Sequence, residues 1–120
     1  MDERVVEKEV GGKKIICFYM DGCSASGFSA AVAGFGEKIR TQPEKSVLAL
    51  AVGGPATPIF TDKETFIEFF MKNAPYIKAS AAACLDRTRR QMINAILEMA
   101  GRKMEFFETE EEALEWLSLQ

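Results

Sequence analysis

The chain has 120 residues, 48% of them hydrophobic and 28% charged, with a formal net charge of -3. That length suits one ordinary domain, in which folding buries roughly two-thirds of the unfolded surface, and the composition is globular rather than disordered. The acidic balance argues against a nucleic-acid partner. No apolar run approaches the ~20 residues of a membrane span, and Met1-Asp2-Glu3-Arg4 lacks the basic-then-apolar pattern of a secretory signal. The expectation is a single cytoplasmic domain over residues 1–120 with no transmembrane segment.

Cys17, Cys23 and Cys84 are odd in number and show no C-x-x-C spacing, so neither a disulfide framework nor a zinc ribbon is expected. The chain has no histidine, which removes Ser-His-Asp and Cys-His activation and every histidine-based metal site. No metal and no cofactor is expected.

Arg4 to Val10 reads as an edge strand, and Gly11-Gly12 as a hairpin turn into the apolar run Ile15 to Met20. From Ser26 onward Phe28, Ala31, Val32, Phe35 and Ile39 recur at helical spacing, with Pro43 closing that helix. Ser46 to Val52 predicts a buried strand ended by Gly53-Gly54-Pro55. Thr61 or Asp62 predicts the cap of a helix that turns Phe66, Phe69 and Phe70 inward and stops at Asn73-Ala74-Pro75.

Ile77 to Leu85 follows as a strand of small residues. Asp86 then caps a helix burying Met92, Ile93, Ile96, Met99 and Ala100, and Gly101 supplies its C-terminal stop. Lys103 to Phe107 is the last strand, and Thr109 to Glu112 reads as a capping box opening a helix through Leu114 and Leu117. The expected fold is α/β: an N-terminal β-hairpin followed by strand-helix units, giving a mainly parallel sheet with flanking helices.

Three stretches carry a family likeness: Lys13-Lys14-Ile15-Ile16, the run Asn73 to Ala81, and the end comprising Gly101-Arg102-Lys103, Phe106-Phe107 and Glu112 to Leu117. In these the chain resembles, over nearly its whole length, the SpoIIAA-like branch of the STAS superfamily (sulfate transporter and anti-sigma factor antagonist). The resemblance implies a regulatory binding domain. In the antagonists a phosphorylated Ser lies in an Asp-Ser-Ser/Thr-Gly-like loop after a central strand. Here the matching stretch, Ala51 to Thr57, has neither Asp nor Ser, so the phosphorylation switch does not carry over. The branch is also similar in fold to Sec14-type lipid-binding domains, but no residue here transfers that activity.

Ligands of an open parallel sheet bind beyond the carboxyl ends of its strands. Three segments fall there: Asp21 to Ser26 with Ser24, the loop Gly53-Gly54-Pro55-Ala56-Thr57, and Asp86-Arg87-Thr88-Arg89-Arg90. Backbone N–H groups at Ser24, Gly53 and Gly54 with the side chains of Arg87, Thr88, Arg89 and Arg90 would suit a phosphate or carboxylate. The alternative is that the glycines make turns and Ser24 or Ser26 caps a helix. The arginines are harder to place, because positive charge in a first helical turn opposes the macrodipole by ~0.3–1 kcal/mol per charge. Four residues further on stand Gln91, Ile93 and Asn94, so no downstream carboxylate answers them along the helix; Asp86 can pair with one, and the other two mark either a solvated basic end or a site.

Cys23 lies where a strand end meets a helix start, a position that can activate a thiol, although neither His nor a second Cys is near in sequence. Cys17 and Cys84 fall in apolar strands as small core residues. The six glutamates from Glu105 to Glu115 read as a solvated helix face, and Met71, Met92, Met99 and Met104 as core filler. The function expected is a non-enzymatic STAS-like module of prokaryotic regulation. Its partner would be a small anionic ligand, a regulatory protein or a second copy in a homodimer. The alternatives are a redox or ligand-handling enzyme using Cys23 and a Sec14-like lipid-binding domain.

Overall fold

Gly11 and Gly12 both take positive φ, 59° and 79°, the pair of angles that a two-residue hairpin turn requires. They join β1 (Val5–Val10) to β2 (Lys13–Tyr19) in an antiparallel ladder that sets Val5 opposite Phe18 and Val10 opposite Lys13. The computed structural model describes residues 4–58 and 63–120, so the proposed cap at Thr61 or Asp62 lies outside the described residues.

After the hairpin come α1 (Ala25–Ile39), β3 (Val47–Val52), α2 (Lys63–Asn73), a 3-10 turn (Ala74–Tyr76), β4 (Ile77–Ala83), α3 (Arg87–Ala100), β5 (Glu105–Phe107) and α4 (Glu110–Ser118). The five strands lie in chain order, β1-β2-β3-β4-β5, with every pair after the hairpin parallel. Right-handed crossovers that always advance in one direction must place their helices on one face of the sheet. The core divides accordingly. Ile16, Phe18, Val47, Ala49 and Ala82 pack with α1 and α3, whereas Ile15, Cys17, Leu48, Leu50, Val52, Ala81 and Ala83 face Ala113 and Leu117 of α4.

Local chemistry sets the helix ends. Ser24 accepts a hydrogen bond from the Gly27 N–H at 3.0 Å, Asp86 from the Arg89 N–H at 2.8 Å, and Thr109 with Glu112 forms the reciprocal capping box. Gly101 closes α3 in the left-handed conformation. Phe69 of α2 stacks on Phe35 and Phe66 meets Phe28 at a tilt, each pair 5.6 Å apart between ring centroids.

Two expectations about side chains need correction. Met71 and Met99 are each 59% exposed, while only Met92 and Met104 pack against the core. Met99 lies in the last turn of α3, one residue before its end, and the buried residues of that helix are Ile93, Ile96 and Leu97. Cys84 is not in a strand: β4 stops at Ala83, and Cys84 turns the chain with φ 61°.

Candidate functional site

At the carboxyl ends of β2, β3 and β4 the loops are laced to one another. Asp21 Oδ1 accepts from the Ala56 N–H at 2.7 Å, and the Gly22 N–H donates to the Ala56 carbonyl at 3.1 Å. The Arg4 guanidinium donates to the carbonyls of Tyr19 (3.1 Å) and Asp21 (2.9 Å). Thr57 is buried, and its hydroxyl donates to the Gly54 carbonyl at 2.8 Å while accepting from the Gly54 N–H at 2.7 Å. The Gly53 N–H is bonded to the Ala83 carbonyl at 2.9 Å.

The arginines of α3 find their partners outside their own helix face. Arg89 reaches Asp86 Oδ2 at 2.5 Å and also donates to the carbonyls of Pro58 and Thr57. Arg90 donates to the Leu85 carbonyl at 3.0 Å, the Phe107 carbonyl at 3.3 Å and Glu108 Oε1 at 3.0 Å. The Asp86 carboxylate, held below the usual range first by the Arg89 N–H and then by its guanidinium, occupies the helix N-terminus. Of the expected anion-binding set, Arg89, Arg90, Gly53, Gly54 and Ser24 already hold partners within the protein. Arg87 and Thr88 are exposed and have no side-chain partner among the described residues.

On the α4 face a polar cluster joins β1, β2 and the start of α4. Glu110 Oε2 accepts from Lys8 Nζ at 2.6 Å and from the Tyr19 hydroxyl at 2.7 Å, and Lys8 Nζ sits 5.4 Å from the Tyr19 ring centre. Burial raises Glu110, but the two hydrogen bonds outweigh it and leave the carboxyl below its ordinary range. Lys8 is raised, chiefly by the Glu110 hydrogen bond, and burial pushes Tyr19 up to about 12. Of the six glutamates from Glu105 to Glu115 five are exposed, as expected of a solvated face, and only Glu110 is half-buried, with two side-chain partners.

None of the three thiols is paired. Cys17 is fully buried, and burial pushes it up to about 11. Burial also raises Cys84, aided by the nearby glutamates and opposed by the Glu110 N–H. Cys23 is half-buried and packs against the core on the α1 side of the sheet.

The opposite end of the sheet is different in character. Each parallel strand begins beside a basic residue: Lys13 and Lys14 at β2, Lys45 before β3, Lys78 in β4, and Arg102 and Lys103 before β5. Lys45, Lys78 and Arg102 line one open groove with Ala74, Pro75 and Ile77, and no carboxylate lines it. These three side chains have no ion pair or side-chain hydrogen bond among the described residues. The sequence reading missed them, although a cation at the start of every parallel strand was a legible signal. Beside the groove, between the sheet and α1, α2 and α3, lies a cavity of about 40 Å³ lined by Phe35, Ile39, Phe69, Phe70, Leu97 and Met104. That volume holds one or two waters and falls far short of the ~300–1,000 Å³ typical of ligand pockets.

Among the described residues no helix is long and apolar enough to cross a membrane, and no three His, Cys, Asp or Glu side chains gather as metal ligands. Comparison with protein-family models, with curated proteins and with solved structures gives no match for this chain.

Proposed function

We propose that the chain is a non-enzymatic binding module of the STAS-like, SpoIIAA-like type that recognises an anionic ligand or an acidic regulatory protein. One observation carries this reading. The polar groups at the carboxyl ends of the strands are mostly spent on one another, as in Asp21 with Ala56, Thr57 with Gly54 and Arg89 with Asp86, whereas cations lacking a carboxylate partner gather at the amino ends. A catalytic centre needs a nucleophile or base within hydrogen-bond reach of its activating group. Among the described residues the thiols have no such neighbour: burial raises Cys17 and Cys84, and Cys23 packs on apolar side chains. The N-terminal hairpin followed by strand-helix units in chain order accords with the family resemblance.

Native mass spectrometry of freshly purified protein, with Cys23→Ser alongside, tests the reading. A retained anion or acidic protein, bound equally by both forms, is the expected result. A covalent adduct on Cys23 in the wild type, or binding that disappears with Cys23→Ser, counts against it and in favour of a thiol enzyme.

A further inference from the structure

We infer that Lys45, Lys78 and Arg102 form a binding groove for a phosphoryl group at the amino-terminal end of the sheet. The inference rests on the binding-module reading and gives it a place and a ligand class.

Three features single out this groove from an ordinary solvated surface. The first is the absence of carboxylates. The chain has 18 acidic against 15 basic residues, and Lys8, Lys38, Arg89 and Arg90 each pair with one. In such a chain three cations that line one groove with no carboxylate among its lining residues concentrate positive potential there, the nearest acidic residue in sequence being the exposed Glu44 beside Lys45.

The second is the backbone that carries them. Lys45 adopts φ 58°, and Cys84 is the only other non-glycine with positive φ among the described residues. The β3–β4 register passes from Val47 opposite Ile77 to Leu48 opposite Ala79, so Lys78 is the extra residue of a bulge. Arg102 directly follows the left-handed Gly101, and its N–H closes α3 on the Leu97 carbonyl at 2.9 Å. A lysine is disfavoured in left-handed backbone, and a bulge redirects a side chain at the expense of ladder pairing. Three separate irregularities thus place cations in one groove.

The third is rigidity. The Lys45 N–H donates to the Pro75 carbonyl at 3.0 Å and the Ser46 N–H to the Tyr76 carbonyl at 3.2 Å, tying the approach to β3 to the turn that forms the groove floor. These bonds fix the backbone from which the exposed Lys45 side chain projects, so its ordering on binding is confined to the side chain. A phosphate dianion offers more charge and more acceptor oxygens than one carboxylate, and so answers three cationic donors better. Pro75 and Ile77 give an apolar bed for the organic part of an ester.

The full chain, isotope-labelled, is titrated with inorganic pyrophosphate at constant ionic strength and followed through its backbone amide resonances. Saturable shifts are expected at Lys45, Ser46, Ile77, Lys78 and Arg102. Lys78→Ala and Arg102→Ala should each weaken binding about fivefold, the equivalent of ~1 kcal/mol for one exposed charge pair. Lys45→Gly should weaken it similarly without lowering the melting temperature, since glycine accepts the positive φ, and this separates loss of binding from loss of fold. Vesicles of phosphatidylcholine with and without phosphatidic acid identify the source. Sedimentation with phosphatidic acid alone, lost in the same variants, assigns the phosphoryl group to a lipid headgroup; pyrophosphate binding without sedimentation assigns it to a soluble phosphate. Saturable shifts confined to Asp86–Arg90 and removed by Arg87→Ala overturn the groove but leave the binding-module reading standing. Shifts that never saturate, or affinities unchanged in all three groove variants, also overturn it, and the native mass spectrum then judges the broader reading by itself.

Discussion

The Asp21 carboxylate lies against the α-carbon of Gly54 so closely that a β-carbon built there would stand 2.5 Å from Asp21 Cγ and 2.7 Å from its Oδ2. The contact joins the loop after β2 to the loop after β3, and it holds Asp21 where it can accept the Ala56 N–H. Gly54 is thus required by close approach rather than by its backbone angles.

Gly54→Ala should therefore push Asp21 aside and break its bond to Ala56. The contact is with the tip of an exposed side chain that can swing away, so the cost is that of the lost hydrogen bond, about 0.5–1.5 kcal/mol, and the melting temperature should fall by roughly 2–8 °C. Asp21→Ala in the same chain removes the clash, so the double variant should be less destabilised than the sum of the single changes. Strict additivity, measured by thermal denaturation, would show that the two residues do not interact.

Stability should depend on pH through Lys8, Tyr19 and Glu110. Glu110 is lowered in the folded chain, so its contribution is complete above the ordinary glutamate value of ~4.3 and is lost as pH falls through the lower folded value. Lys8 and Tyr19 are raised, so theirs are complete below ~10 and fade as pH rises through the folded values, about 12 for Tyr19. The expected profile is a plateau between about pH 5 and 10. With Lys8 42% exposed, solvent screening limits the pair to ~1 kcal/mol. Urea titrations at several pH values should show Glu110→Gln with a shallower acid limb than the wild type; identical limbs would remove Glu110 from the account.

The three thiols should alkylate in the order Cys23, Cys84, Cys17. Cys17 is fully buried and raised to about 11, so it should label only when the chain unfolds. Cys84 is half-buried and raised, again chiefly by burial, which slows it relative to Cys23. Mass spectrometry of pulse-labelled protein reads the order directly, and native-state labelling of Cys17 would contradict the burial of β2.

Thr57 should resist phosphorylation in the folded protein. It is 2% exposed, and its hydroxyl both donates to and accepts from Gly54. Thr57→Ala should cost about 0.5–1.5 kcal/mol by removing the acceptor of the Gly54 N–H, while the Gly54 carbonyl keeps the Thr57 N–H at 3.2 Å. Stoichiometric phosphate on Thr57 of natively folded protein, found after kinase treatment, would refute the placement.

Much of the fold was legible because its signals are local. Gly11-Gly12 makes the hairpin, Ser24 and Asp86 cap helices with N–H groups three residues away, Thr109 and Glu112 close a box within one turn, and Gly101 ends α3. Such contacts form between near neighbours in the chain, and residue type alone specifies them. The partners of the charges are another matter. Reading along α3 left two arginines without a carboxylate, but Arg90 meets Glu108 only because β5 lies beside β4, and Lys8 meets Glu110 across 102 positions only because α4 packs over the hairpin. The same strand order brings Lys45, Lys78 and Arg102 into one groove and leaves Met71 and Met99 in water. Elements and their ends follow from short-range propensity and capping, so the sequence by itself determined them. Which charges are paired and which stay unpaired depends on strand order and helix placement, and only the tertiary structure decided that.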